Sequence, residues 1–223
     1  MILGITGSFG SGKTTVANIF KKYGFEVINA DKLYHGIYKK NNALRSKIKK
    51  EFGTINRNKI KKIVFNDYKR LKNLNKITHP TIIEEIKKEI SAIIKKYNNK
   101  NTTINKKDII NGKNYKKSIN GKKQQNNIEK NKVKIIIDAP LLIEAKALDL
   151  VDKLIVVKCD EKTQIERLLK KGRHTKDEII NIINYQMPIE EKIKYADFVI
   201  DNNGSINEVE KQIDQIINSM QKP

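Results

Sequence analysis

The stretch Ile2-Leu3-Gly4-Ile5-Thr6-Gly7-Ser8-Phe9-Gly10-Ser11-Gly12-Lys13-Thr14-Thr15-Val16 decides the fold. Leu3 to Thr6 reads as a short apolar strand, the glycines and serines after it as a turn, and Val16, Ile19 and Phe20 as the apolar face of a helix. Gly7 to Thr14 fits the pattern G-x-x-x-x-G-K-[ST] in the context that gives it meaning, after a strand and before a helix. Glycines let the backbone curl with its N–H groups inward, and the helix amino terminus adds partial positive charge, so that a polyphosphate sits among donors. In such a loop Lys13 reaches the β- and γ-phosphates of ATP and the Thr14 hydroxyl ligates Mg²⁺, while Ser8, Phe9, Gly10, Ser11, Gly12 and Thr15 complete the cradle. The bland alternative is a Gly-rich turn capped by Thr, which has no use for a lysine at that place.

Working outward, a second strand, Phe25 to Ile28, ends in Asn29-Ala30-Asp31. From 32 to 97 the apolar residues recur at three and four, through Ile48 and Phe52, Ile60 and Val64, then Ile82, Ile83, Ile86, Ile90 and Ile93. This predicts an inserted helical subdomain, whose last helix is expected to start at Pro80, because a first turn does not need the missing N–H. Residues 98–131 are Asn- and Lys-rich with almost nothing to bury, and read as a disordered insertion. Further strands are expected at Val133 to Ile137, Leu154 to Val157 and Phe198 to Ile200. Helices begin after Thr175 and Ser205, each with a glutamate at capping-box spacing. Alternating strands and helices predict an α/β fold of the P-loop NTPase type: a five-stranded parallel sheet flanked by helices, with sites at its carboxyl edge.

The net charge of +21 would ordinarily suggest a nucleic-acid or membrane partner, but only five of the 46 basic residues are arginine. Lys, Asn and Ile enrichment together has the look of coding bias in an AT-rich genome, and nucleic-acid surfaces lean on arginine for bidentate contacts. One cysteine, Cys159, excludes a disulfide framework and a cysteine metal cluster. The strand-like start and the short apolar runs leave no signal peptide or membrane span to read, so a cytoplasmic protein, a monomer or weak homo-oligomer, is expected.

Several residues can carry chemistry. Asp31, at the carboxyl edge, either takes a proton from an acceptor hydroxyl as a general base or caps the helix starting at Lys32. Asp138, closing the third strand, either helps hold Mg²⁺ or orders the Pro140 turn. Arg167, Lys171 and Arg173 flank Gly172 in a lid region at 161–186, where cations that arrive on closure stabilise charge on the moving phosphoryl group; solvated helix charges are the alternative, and Arg173 is the preferred residue. His79 caps or packs beside Pro80 and touches the substrate.

Taken in order, the strand and P-loop, Val27-Ile28-Asn29-Ala30-Asp31, Thr78-His79-Pro80, Asp138-Ala139-Pro140-Leu141-Leu142, Gln186 and Ile200-Asp201-Asn202-Asn203-Gly204 resemble the dephospho-CoA kinase family. The resemblance spans nearly the whole chain outside the insertion. It implies an ATP-dependent kinase of the ribose 3′-hydroxyl of dephospho-CoA, with Asp31 as base and the 32–97 block holding the pantetheine-bearing substrate. Departures are Asn29 where the family has Asp, Ile143 where it has Phe, and Lys171 where it has a lid arginine. Two alternatives stand beside this reading: another nucleoside monophosphate or small-metabolite kinase, and a basic nucleic-acid-binding ATPase.

Overall fold

The computed structural model describes residues 1–110 and 133–221, with only the backbone of residues 100–110. Five parallel strands, β1 (Ile2–Gly7), β2 (Glu26–Asn29), β3 (Ile135–Asp138), β4 (Lys153–Lys158) and β5 (Phe198–Asp201), form one sheet in the order β2-β3-β1-β4-β5. The strands fall within two residues of the sequence expectations. Period-two alternation divides the apolar residues between the two faces. Ile136, Ile155 and Val157 pack with Val16 and Phe20 of α1 (Lys13–Phe20), while Ile135, Ile137, Leu154 and Val156 lie on the opposite side with Ile28 and Leu142.

Between β2 and β3 the chain forms α2 (Ala30–Lys40), α3 (Asn42–Phe52), α4 (Arg57–Phe65) and α5 (Tyr68–Ile110). This block has its own small core of Tyr38, Leu44, Ile48, Phe52, Ile60 and Val64. The abundant asparagine is put to local use: Asn29, Asn41 and Asn56 each accept a backbone N–H of the following helix on the side-chain oxygen, satisfying donors that a helix start leaves open.

Two sequence expectations about this block need correction. Pro80 does not start a helix; it lies inside α5. The missing N–H leaves the Lys76 carbonyl without its usual donor, but tertiary packing overrides the break: Leu71, Leu74 and Ile77 before it pack on the block's own core, and Ile82, Ile83, Ile86, Ile90 and Ile93 after it pack on the sheet. The helix also continues past residue 97 to Ile110, so residues 98–110 of the expected disordered insertion are helical. The expectation for residues 111–131 lies outside the described residues.

After β4 come α6 (Glu161–Lys170), α7 (Lys176–Asn184), the short α8 (Ile189–Ile193) and, after β5, α9 (Ile206–Gln221). Thr175 and Glu178 form the expected capping box, and Ser205 and Glu208 exchange reciprocal bonds of 2.7 and 3.4 Å. Among the described residues no helix is long and apolar enough to cross a membrane.

Candidate active site

Strand register builds the site. Asp138 pairs with Ile5 of β1 and with Asn29 of β2, so the ends of three strands meet at the carboxyl edge beside the P-loop. The loop itself needs glycine: Gly10 and Gly12 have φ of +86° and +88°. A Cβ at Gly12 would also lie 2.1 Å from the Asn202 amide nitrogen. That amide donates to the Ser11 carbonyl at 2.7 Å, bracing the loop from the end of β5. A second brace comes from Gln186, whose Oε1 accepts the Phe9 N–H at 2.7 Å. Ser11 Oγ is buried with no partner among the described residues, a polar atom aimed at no protein group.

Lys13 is buried and its Nζ donates to the carbonyls of Gly7 and Ser8 at 3.1 and 2.8 Å. Burial is the main cause that lowers its pKa to about 8; Asp138 pulls it back up, Lys192 lowers it further, and Asp31 and Glu144 raise it. Thr14 donates to Asp138 Oδ2 at 2.8 Å, and the Asn29 amide donates to the same oxygen at 2.6 Å. Thr15, one residue on, is exposed, and its N–H donates to the Gly12 carbonyl.

Asp31 stands in the first turn of α2, solvent-exposed at the edge of a cleft. Helix capping falls to Asn29, whose Oδ1 accepts the Lys32 N–H at 2.8 Å, so Asp31 is not needed as a cap. Partial desolvation is the largest effect on its carboxyl and raises the pKa, with Lys13 and His35 lowering it and Asp138 raising it; access to solvent limits the rise.

An apolar cavity of about 170 Å³ adjoins Asp31. Its walls come from α2 through Tyr34, from α5 through Thr78, His79 and Ile82, and from the turn after β3 through Pro140 and Leu142. Desolvation chiefly lowers the pKa of His79, which favours a neutral imidazole, although Glu144 opposes it. The pKa of Tyr34 is pushed up to about 12, again mainly by desolvation.

Lys13, Thr14, Asp31 and Asp138 are thus brought together, and His79 shares the cavity with Asp31. Arg173 stands on the loop between α6 and α7, exposed, with its carbonyl accepting from Lys61 Nζ of α4 at 3.3 Å. Arg167 turns back toward the end of β4, 3.5 Å from Cys159 Sγ. Beside Arg173, the His174 ring meets Phe9 of the P-loop at 5.4 Å and Phe65 of α4 at 5.8 Å, so this loop touches both the phosphate side and the helical block.

Sequence reasoning missed Lys192. Its side chain is wholly buried, ion-paired to Glu144 Oε1 at 2.8 Å and donating to the Pro140 carbonyl at 2.8 Å. The same carbonyl accepts the Thr6 hydroxyl at 2.9 Å, so Thr6 and Lys192 order the turn that the sequence offered to Asp138. Read as Ile189-Glu190-Glu191-Lys192-Ile193-Lys194, the segment looks like a solvated helix. The available signal was spacing: Lys192 shares the apolar stripe of Ile189, Ile193 and Ala196, which pack on the sheet. Removing one partner of such a buried pair costs about 3–5 kcal/mol, because the other charge is left uncompensated.

The sequence model of the family described as dephospho-CoA kinase matches residues 1–120 and 117–208. The chain is 35% identical over 220 residues to a protein of Carboxydothermus hydrogenoformans named dephospho-CoA kinase, covering 95% of this chain and 90% of that one. A protein of the same name from Aquifex aeolicus is 35% identical over 222 residues, covering 96% and 94%. Among solved structures, a dephospho-CoA kinase from Campylobacter jejuni is similar with a TM-score of 0.56 at 23% identity, over 98% of this chain and 96% of that one, a likeness of fold.

Proposed function

Because this chain belongs to the dephospho-CoA kinase family, we infer that it transfers the γ-phosphoryl group of ATP to the ribose 3′-hydroxyl of dephospho-CoA, giving CoA and ADP, the last step of CoA biosynthesis. The observation that supports this best is the electrostatic grouping of Lys13, Asp31 and Asp138 at one sheet edge, with an apolar cavity opening beside Asp31.

In this reading Asp31 accepts the proton of the 3′-hydroxyl as the bond from that oxygen to the γ-phosphorus forms. The bond from that phosphorus to the β,γ-bridging oxygen breaks, and its electron pair leaves on ADP. The left-handed glycines and the unpartnered Ser11 hydroxyl suit a polyphosphate. Lys13 exchanges the carbonyls of Gly7 and Ser8 for phosphate oxygens and stabilises the charge that builds on them.

Thr14 and Asp138 offer two hard oxygen ligands 2.8 Å apart, and no group of three or more His, Cys, Asp or Glu suited to a metal occurs among the described residues. Those two residues would hold Mg²⁺, which would supply charge neutralisation at the β- and γ-phosphates. The acceptor's pantetheine arm lies along the apolar wall, past His79 and Tyr34. Arg173 joins the phosphoryl group as the 161–186 region closes over it and excludes water.

A coupled ADP assay with dephospho-CoA, AMP and single-stranded DNA in parallel tests the assignment. ADP formed stoichiometrically with dephospho-CoA alone supports it. Equal turnover with AMP, or ADP release stimulated by DNA, overturns it.

A further inference from the structure

We propose that Lys192 is a positioning residue for phosphoryl transfer, holding through Pro140 and Glu144 the turn that carries Asp138 at one end and a wall of the acceptor cavity along its length. The proposal rests on the kinase reading above.

Lys192 has no exposed side-chain surface, and its ammonium directs donors to two points of one segment, the Pro140 carbonyl and Glu144 Oε1. Between and beside those points run Asp138, which accepts from Thr14 and Asn29, and Ala139, Leu141 and Leu142, which line the cavity next to Asp31. Thr6 of β1 shares the Pro140 carbonyl, so the turn is pinned from the sheet on one side and from α8 on the other. Glu144 is held in its turn by the Met187 N–H at 3.4 Å, and its Oε2 is buried with no partner among the described residues. A fully desolvated cation is an expensive way to hold a turn that an apolar contact would also hold, unless the geometry of that turn matters. Lys192 and Glu144 also both lie within electrostatic reach of Lys13.

The test is steady-state kinetics on the full chain, wild type against the double variant Lys192→Met/Glu144→Gln, which removes both charges together and leaves neither stranded. We expect a folded protein in which kcat falls 30-fold or more while the KM for ATP changes less than threefold. A folded double variant with kcat within threefold of wild type overturns the proposal and leaves the pair as scaffold. So does a fall in kcat matched by an equal loss of ATP affinity, which would put the defect in the P-loop. If the double variant does not fold, Lys192→Arg, which keeps the charge and moves the head group, is read by the same criteria at a tenfold loss. Absence of ADP in the wild-type control with dephospho-CoA overturns the acceptor assignment itself, an outcome distinct from equal turnover in wild type and variant.

Discussion

In the kinase reading proposed above, the two halves of the site are built by opposite methods. The phosphate side is a single run, Gly7 to Thr15, whose working parts are mostly backbone N–H groups held by left-handed glycines. The acceptor side is assembled from α2, α5 and the turn after β3, with Lys192 reaching that turn from α8, and its working parts are side chains. A site made of backbone must be contiguous, so its residue spacing is visible in sequence. A site made of side chains needs only that the fold bring them together, and leaves a scattered trace.

The sharpest break of this contrast comes from Lys13, a working side chain within the phosphate run. Lys13→Ala should lower turnover by about 10²-fold or more, the scale for losing a preorganised donor to developing charge, with far-ultraviolet circular dichroism unchanged. Normal turnover in the folded variant would remove the nucleotide from this loop.

On the acceptor side, Asp31→Asn should reduce kcat by about 10² to 10⁴, the range for a general base, with ATP binding measured by calorimetry nearly intact. Because Asn29 rather than Asp31 caps α2, the melting temperature should not fall. A drop in melting temperature with unchanged kcat would reassign Asp31 to structure.

The pH profile sharpens the same point. Asp31 acts only when ionised, and desolvation favours its neutral form, so activity should be lost as pH falls through a value above the ordinary carboxylate pKa. The residual activity of Asp31→Asn should lack that acid limb. An acid limb retained in the variant would assign it to another group.

Gly12→Ala tests the backbone half directly. Its φ of +88° strains any other residue and its Cβ would strike the Asn202 amide, a cost of about 1–3 kcal/mol. ATP affinity should fall tenfold or more while the acceptor cavity is untouched. The smallest effect is expected at Asn29→Ala, which removes the α2 cap and one donor to Asp138. Loss of a cap costs about 1 kcal/mol, readable as a lower urea midpoint.

Legibility in the sequence followed the same division. Five strands, the P-loop and the capping boxes at Thr175 and Ser205 could be read because each depends on near neighbours in the chain. Asp31 could be placed at the sheet edge but not freed from the capping role, since that required seeing the Asn29 oxygen on the Lys32 N–H. Pro80 was misplaced because a proline's local preference for a first turn says nothing of Leu71, Leu74 and Ile77, which extend the helix ahead of it. Lys192 reads from sequence as a solvated charge on an amphipathic segment, and only the partly buried Glu144 and the Pro140 carbonyl across the turn give it a reason to face inward.

Helix α5 has a mechanical consequence. At 43 residues it is about 65 Å long at 1.5 Å per residue, and it is clamped twice, by the helical block through Leu71 to Ile77 and by the sheet through Ile82 to Ile93. The one backbone hydrogen bond that proline deletes lies between the two clamps, and the residues next to it, Thr78 and His79, line the acceptor cavity. The helix's own hydrogen-bond ladder is therefore interrupted where the helix forms a wall of the cavity, and it is the packing on either side, not the ladder, that carries it through that point.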